Sequence, residues 1–292
     1  LYQHAVHSIP DRNHGYCVDD NCRALILACQ LADGAREAGS ATMPELLTTR
    51  FASFIQYAWN AENRWFRNFM SFDRRWLEER GSDDSHARTL WSLGVAARAD
   101  PSASRRTWAA GLFRDALPTI ERSTSPRAWA FTLLGLEAYA DAVVFDPAAE
   151  RMTRMLGKRL FDLFSANATD DWTWFEGGLA YDNARLPQAL LYAGCKVGND
   201  AWIAASVRAL DWLVALQTAA AGHFRPVGSE SFGDERVPPR PFDQQPLEAW
   251  AAIDACALAY QVTADAKWSA RAAAAHGWFL GANTLSVPII DP

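Results

Sequence analysis

The chain has 292 residues, 28 Lys+Arg against 34 Asp+Glu, and a formal net charge of -6. That mild acidity disfavours a nucleic-acid binder, which draws on a basic face. Half of the residues are hydrophobic and 21% are charged, which excludes a disordered chain and leaves room for two ordinary domains or one large one.

Thirteen Trp and fifteen Phe exceed what a helical core requires, so part of the surplus is expected to line a concave surface. No apolar run approaches the roughly 18 residues that span a bilayer, and no charged start leads into an apolar signal core. The chain opens at Leu1 without Met and ends at Asp291-Pro292 after an apolar stretch, so it reads as a fragment. Cys17, Cys22, Cys29, Cys195 and Cys256 are odd in number and lack Cys-x-x-Cys spacing; reduced, mostly buried thiols are expected, as in a cytoplasmic protein.

Strand-like alternation is almost absent, whereas apolar residues recur at three- and four-residue spacing throughout, so the fold reads all-α. Helices of one kind are expected from Asp19-Asp20 to about Ala32, Asp83-Asp84 to Ala99, Pro126 to Ala142, Tyr181-Asp182 to Ala193 and Pro246 to Gln261. They carry few charges after the first turn, as helices covered on all sides do. Amphipathic helices are expected between them, near Pro44–Trp59, Arg105–Arg122, Ala148–Ala166, Asn199–Ala219 and Ala266–Leu280. The alternation repeats every 45 to 65 residues or so, the signature of stacked helical hairpins. Letters repeat too: Asp20-Asn21-Cys22-Arg23 matches Asp182-Asn183-Ala184-Arg185, and Asp84 to Arg88 is a longer version.

Five buried-plus-amphipathic hairpins resemble an (α/α)6 toroid with its last hairpin incomplete, in one domain over residues 1 to 292. The stretches Gly15-Tyr16-Cys17-Val18-Asp19-Asp20-Asn21, Phe66-Arg67-Asn68-Phe69-Met70-Ser71, Ser125-Pro126-Arg127-Ala128-Trp129-Ala130, Trp172-Thr173-Trp174-Phe175-Glu176 and Phe242-Asp243-Gln244-Gln245-Pro246 sharpen that likeness. Together they are similar to a bacterial six-hairpin family found fused to or beside glycosyltransferases and mannoside phosphorylases. The resemblance implies glycan chemistry and a possible glycosyltransferase neighbour, without naming a substrate.

In such a fold the starts of the inner helices converge on one mouth, and the unusual residues sit at those starts. Asp is a favoured N-cap and an anion is favoured at a helix N-terminus, which accounts for Asp19, Asp83 and Asp182 without chemistry. The second acid of each doublet, Asp20 or Asp84, has no such account. Glu176 follows Trp172 and Trp174 in a loop, where an apolar setting suits a general acid, although pairing with an Arg explains it equally well. The candidate catalytic groups are therefore Glu176 as the acid and Asp20 or Asp84 as the base, with Asp182, where it is more than a cap, as their partner or a sugar-hydroxyl acceptor. Asp19, Arg23, Asp83, His86, Arg88, Arg127, Trp129, Trp172, Trp174, Asn183, Arg185, Asp243, Gln244, Gln245 and Glu248 are candidate sugar contacts; for the arginines, salt bridges between hairpins are the competing reading. His86 could carry a proton, but a lone His is more often a structural group.

The remaining histidines show no metal-ligand spacing, so neither a metal nor a cofactor is expected. Asp19-Asp20-Asn21-Cys22-Arg23 fails the Asp-Asp-x-x-Asp motif of isoprenoid synthases because Arg23 stands where a carboxylate is needed. No phosphate-binding glycine loop and no Gly-x-Ser-x-Gly elbow is present. A glycoside hydrolase acting on manno-oligosaccharides through paired carboxylates leads this reading. A non-catalytic glycan-binding or scaffolding module stands second, and a phosphorylase or a sugar epimerase third. The segment from His223 to Gln245, broken by Pro226, Gly228, Gly233, Pro238, Pro239 and Pro241, is expected to cover the mouth.

Overall fold

The computed structural model describes residues 2–7, 9–37 and 42–290. Ten α-helices occupy these residues: α1 (Val18–Glu37), α2 (Thr42–Ala58), α3 (Asp83–Ala99), α4 (Ala103–Ala116), α5 (Pro126–Ala142), α6 (Pro147–Asn167), α7 (Arg185–Val197), α8 (Asp200–Leu216), α9 (Pro246–Thr263) and α10 (Ala266–Phe279). Among neighbours in sequence, α1 packs on α2, α3 on α4, α7 on α8 and α9 on α10, hairpins that the alternation of buried and amphipathic segments anticipates. Strands amount to three antiparallel two-residue pairs: β1 (Ala5–Val6) with β2 (Ile9–Pro10), β3 (Tyr16–Cys17) with β6 (Phe69–Met70), and β4 (Trp59–Asn60) with β5 (Trp65–Phe66).

Local chemistry explains most boundaries. Ser82 and Ser125 cap α3 and α5 by accepting the amides of Ser85 and Ala128, and Asn199 caps α8. Asp83 and Asp84 therefore lie inside the first turn of α3 and neither is its cap. The expected helix from Arg105 to Arg122 divides into α4 and a 3-10 turn over Leu117–Arg122, where Pro118 cannot donate to the ladder. The helix expected from Asp182 begins only at Arg185, because Asp182 takes a left-handed conformation at φ 53°. Gly198 ends α7 at φ 68°, the conformation that closes a helix at least cost to glycine.

The chain divides into two compact units, Leu1–Thr153 and Arg154–Pro292. In the first, α3 is buried along nearly its whole length, packing against α1, α4 and α5. In the second, α7 packs on α8 and α9, and α10 closes against α9 over Trp278, Phe224 and Ala275. Cys17, Cys22, Cys29 and Cys256 are buried free thiols that burial pushes up to about 12, while Cys195 is exposed. Among the described residues no helix is long and apolar enough to cross a membrane.

Candidate functional site

In the first unit an acidic helix start is wired to buried guanidiniums. Asp19 accepts from Arg88 Nε at 2.6 Å and pairs with Arg23 at 2.9 Å; Arg23 also pairs with Asp20. Arg88 is 1% exposed and its guanidinium lies 4.0 Å from the centre of the Phe131 ring. Arg88 thus joins α3 to α1 through the first Asp of the doublet, and Asp20 remains partly exposed beside Arg23. Asp84 accepts the hydroxyl of Ser125, the cap of α5, and Asp83 pairs with Arg80 at 3.3 Å. Arg127 is buried in the first turn of α5, and the indole of half-buried Trp129 donates to the Ser123 carbonyl at 2.9 Å.

His86, expected at the rim, is instead sealed at 0% exposure. Its ring stacks on Trp65 at 3.8 Å, Nδ1 accepts the Phe66 amide at 3.4 Å, and Nε2 lies 2.9 Å from the Thr119 hydroxyl. The Thr119 hydroxyl donates in turn to Ala116, so the neutral Nε2–H tautomer satisfies every partner. Desolvation pushes its pKa down to about 3, and the ring offers no surface to a ligand.

In the second unit the stretch from Trp172 to Arg185 builds the other cluster. Trp172 and Trp174, expected as sugar-stacking surfaces, are buried at 6% and 0%, meeting Trp212 at 4.9 and 5.8 Å. Their role is to anchor the loop: Trp172 Nε1 donates to the Glu176 carbonyl at 2.7 Å, and the Glu176 side chain stays half-buried. The glycines after it accept a second strand of chain. Gly178 bridges Glu235, Gly233 donates to Leu179 and Arg236 to Gly177, each of the latter at 2.8 Å. A Cβ on Gly178 would stand 2.9 Å from the Asp234 carbonyl, closer than real contacts allow. The His223-to-Gln245 segment therefore lies directly on the Glu176 turn and brings the exposed Glu235 beside it.

Beyond that turn, Asp182 is 0% exposed and its Oδ1 lies 3.7 Å from Arg185 Nε. Asn183 Nδ2 donates to Glu248 Oε2 at 2.9 Å, and Gln217 Nε2 reaches the same oxygen at 3.4 Å, so Glu248, 1% exposed, braces the turn from α9. Arg185, fully buried, donates from Nη1 to Gln188 and to Asp254, both at 2.7 Å, and lies 4.4 Å from the centre of the Trp250 ring. Asp254 is 35% exposed. Trp250 and Asp254 stand one turn apart on α9 and were missed by the sequence reading, which looked only at helix starts; their i, i+4 spacing behind Glu248 was the available signal.

Asp243, after the cis peptide Phe242–Asp243, is exposed, and its carbonyl accepts the Ser229 amide. Gln244 donates to Pro241 at 2.8 Å and Thr284 at 3.1 Å and accepts the Trp278 indole at 2.9 Å, so both ends of its amide tie the loop to the α10 end. Gln245 precedes α9 without a side-chain cap bond. Among the described residues no three His, Cys, Asp or Glu side chains group as metal ligands.

No family model matches the chain, and no curated protein matches it. Solved structures do. A sugar epimerase from a ruminal bacterium superposes with a TM-score of 0.71 at 12% identity, over 96% of this chain and 79% of that one. A D-mannose isomerase gives 0.67 at 12% identity over 94% and 78%, and cellobiose 2-epimerase from Bacillus thermoamylovorans B4167 gives 0.67 at 10% identity over 93% and 77%. At these identities the likeness carries the fold, and the fold class of this chain is the all-α helical-hairpin class of the (α/α)6 type.

Proposed function

We propose that the chain is a sugar-active enzyme that rearranges an aldose at C1 and C2, as an isomerase or epimerase, with mannose or the reducing end of a manno-oligosaccharide as substrate. The observation that carries this reading is Glu176: a half-buried carboxylate whose backbone is clamped by Trp172 and whose turn is covered by an ordered loop. A carboxylate so held can take a proton from C2 of the open-chain sugar as the electrons move onto the C1 carbonyl oxygen, giving an enediolate. Return of the proton to C1, as the O2 proton passes to O1, yields the ketose, and delivery of a proton to the other face of C2, with the electrons returning from O1, yields the epimer.

The remaining groups divide by accessibility. Asp182, sealed beside Arg185, positions the turn, whereas partly exposed Asp254 can accept a sugar hydroxyl. The fold of the neighbours supports the rearrangement over hydrolysis, since their names specify isomerase and epimerase activities. His86, sealed in the core, has no part in this reading, which gives proton transfer to Glu176. A glycosyltransferase beside this chain, as the resemblance implies, would act on the same saccharide class.

The experiment is incubation of the protein with mannose, cellobiose and mannobiose, with and without phosphate, followed by NMR. A ketose or C2 epimer supports the reading. Free mannose from mannobiose establishes the hydrolase instead, and mannose 1-phosphate formed only with phosphate establishes the phosphorylase. Saccharide bound without turnover establishes the binding module.

A further inference from the structure

The first unit holds a groove of about 690 Å³ between β3, β6 and α2, within the range of small-molecule sites. Its floor and walls are aromatic. Tyr2 stacks on Tyr16 at 4.9 Å, Tyr16 meets Phe54 at 6.1 Å, Phe54 meets Trp76 at 5.8 Å and Trp76 meets Tyr57 at 5.4 Å, and three of these rings, Tyr16, Phe54 and Tyr57, line the groove. Tyr57 is 57% exposed, an aromatic face turned to solvent on a helix whose other rings, Phe51 and Phe54, are half-buried.

The charge in the groove is one-sided. Arg50 of α2 and Arg74 of the turn before Trp76 both line it, and among the described residues no carboxylate does. Neither arginine is in an ion pair among the described residues, while the nearest acids in sequence are engaged: Asp73 with Arg75 at 2.9 Å and Asp11 with His14 at 3.6 Å. Arg74 is set by a left-handed backbone at φ 65° in a turn closed by its own amide on Ser71 at 3.0 Å. Arg12, which does not line the groove, lies over the Phe72 ring at 5.5 Å. The hydrogen bond to Tyr2, then burial, raise the Tyr16 hydroxyl from its ordinary value, and Arg74 and Arg12 pull against that shift, which places both cations within electrostatic reach of the groove wall. On a chain of net charge -6 this is a cationic, aromatic recess in an acidic surface.

We propose that this groove binds a phosphorylated saccharide, with its apolar ring face on Phe54 and Tyr57 and its phosphate engaged by Arg50 and Arg74. Guanidinium forks match phosphate oxygens in a bidentate geometry, and aromatic faces accept the C–H face of a pyranose. The saccharide half of the ligand rests on the proposed function; the anionic half rests on the two arginines alone.

The test is titration calorimetry at low salt with mannose 6-phosphate, mannose, inorganic phosphate and AMP, on the wild type and on Arg50→Gln, Arg74→Gln and Tyr57→Ala, all at exposed positions and each checked for an unchanged melting temperature. The expected result is mannose 6-phosphate bound at least about tenfold more tightly than mannose or phosphate, with each arginine variant losing about tenfold or more of that affinity and Tyr57→Ala losing less, as befits charge-assisted bonds beside a stacking contact. Equal affinity for mannose and its phosphate, unchanged affinity in both arginine variants, or binding of AMP in preference to the sugar phosphate overturns the proposal. Turnover of free mannose in the NMR assay is read separately, so that a groove without affinity and a chain without sugar activity give different results.

Discussion

Gly94 of α3 and Gly135 of α5 face each other with no room for a side chain: a Cβ on Gly94 would overlap the Gly135 carbonyl, and one on Gly135 would stand 2.9 Å from the Leu90 carbonyl. Both helices are buried along this face, so neither can swing aside. Gly94→Ala is expected to destabilise the protein by about 1–3 kcal/mol or more, despite alanine's better helix propensity. Gly111, with nothing within 4 Å of its Cβ position, is the control, and Gly111→Ala should be neutral or stabilising. Urea midpoints of the two variants make the comparison.

His86 makes stability depend on pH. Its folded pKa is pushed down to about 3 by desolvation, against an ordinary value of 6.5. Below pH 6.5 the unfolded chain binds a proton that the folded one refuses, so this group costs stability increasingly as pH falls, up to about 1.4 kcal/mol per pH unit, until the folded pKa is reached. Above pH 6.5 the effect is absent. Unfolding free energies at several pH values between 4 and 7 should therefore slope less steeply in His86→Gln than in the wild type. Parallel slopes would show that the ring titrates normally.

The Arg88–Asp19 pair joins α3 to α1 across a buried guanidinium. Arg88→Met is expected to cost about 1–3 kcal/mol, the loss of a charge-assisted bond from a buried guanidinium to a partly exposed carboxylate. Asp19 retains Arg23, so part of the loss is recovered at its end. A double-mutant cycle with Asp19→Asn should return a coupling of about 1–3 kcal/mol, and zero coupling would make Arg88 a packing residue on Phe131 alone.

If Glu176 moves the proton, Glu176→Gln lowers kcat by about 10²- to 10⁴-fold with little change in KM. Trp172→Phe keeps the aromatic body and deletes the indole donor to the Glu176 carbonyl, so kcat should fall by a smaller factor while the fold survives. Wild-type turnover in both variants would move the chemistry away from this turn.

Much of the architecture is determined locally and was legible in the letters. Pro126 after Ser125 and Pro246 start α5 and α9 where expected, and the charged faces of α6 and α8 mark them as solvent-facing, because caps and helical periodicity act within a few residues. The pairing of acid and Arg three residues apart was local too, and both copies form it: Arg23 with Asp20, and Arg185 with Asp182. Tertiary structure decided what each polar residue does, since that depends on partners far along the chain. His86 is consumed by Thr119 and Trp65, Trp172 and Trp174 by Trp212, Gln244 by Trp278 and Thr284, and Asn183 by Glu248. Buried polar groups must be satisfied wherever the fold leaves them, and the satisfying partner is set by packing between elements rather than by neighbours in sequence. The same reason hid Asp254 and Trp250, which acquire a role only when α9 brings them onto Arg185 of α7.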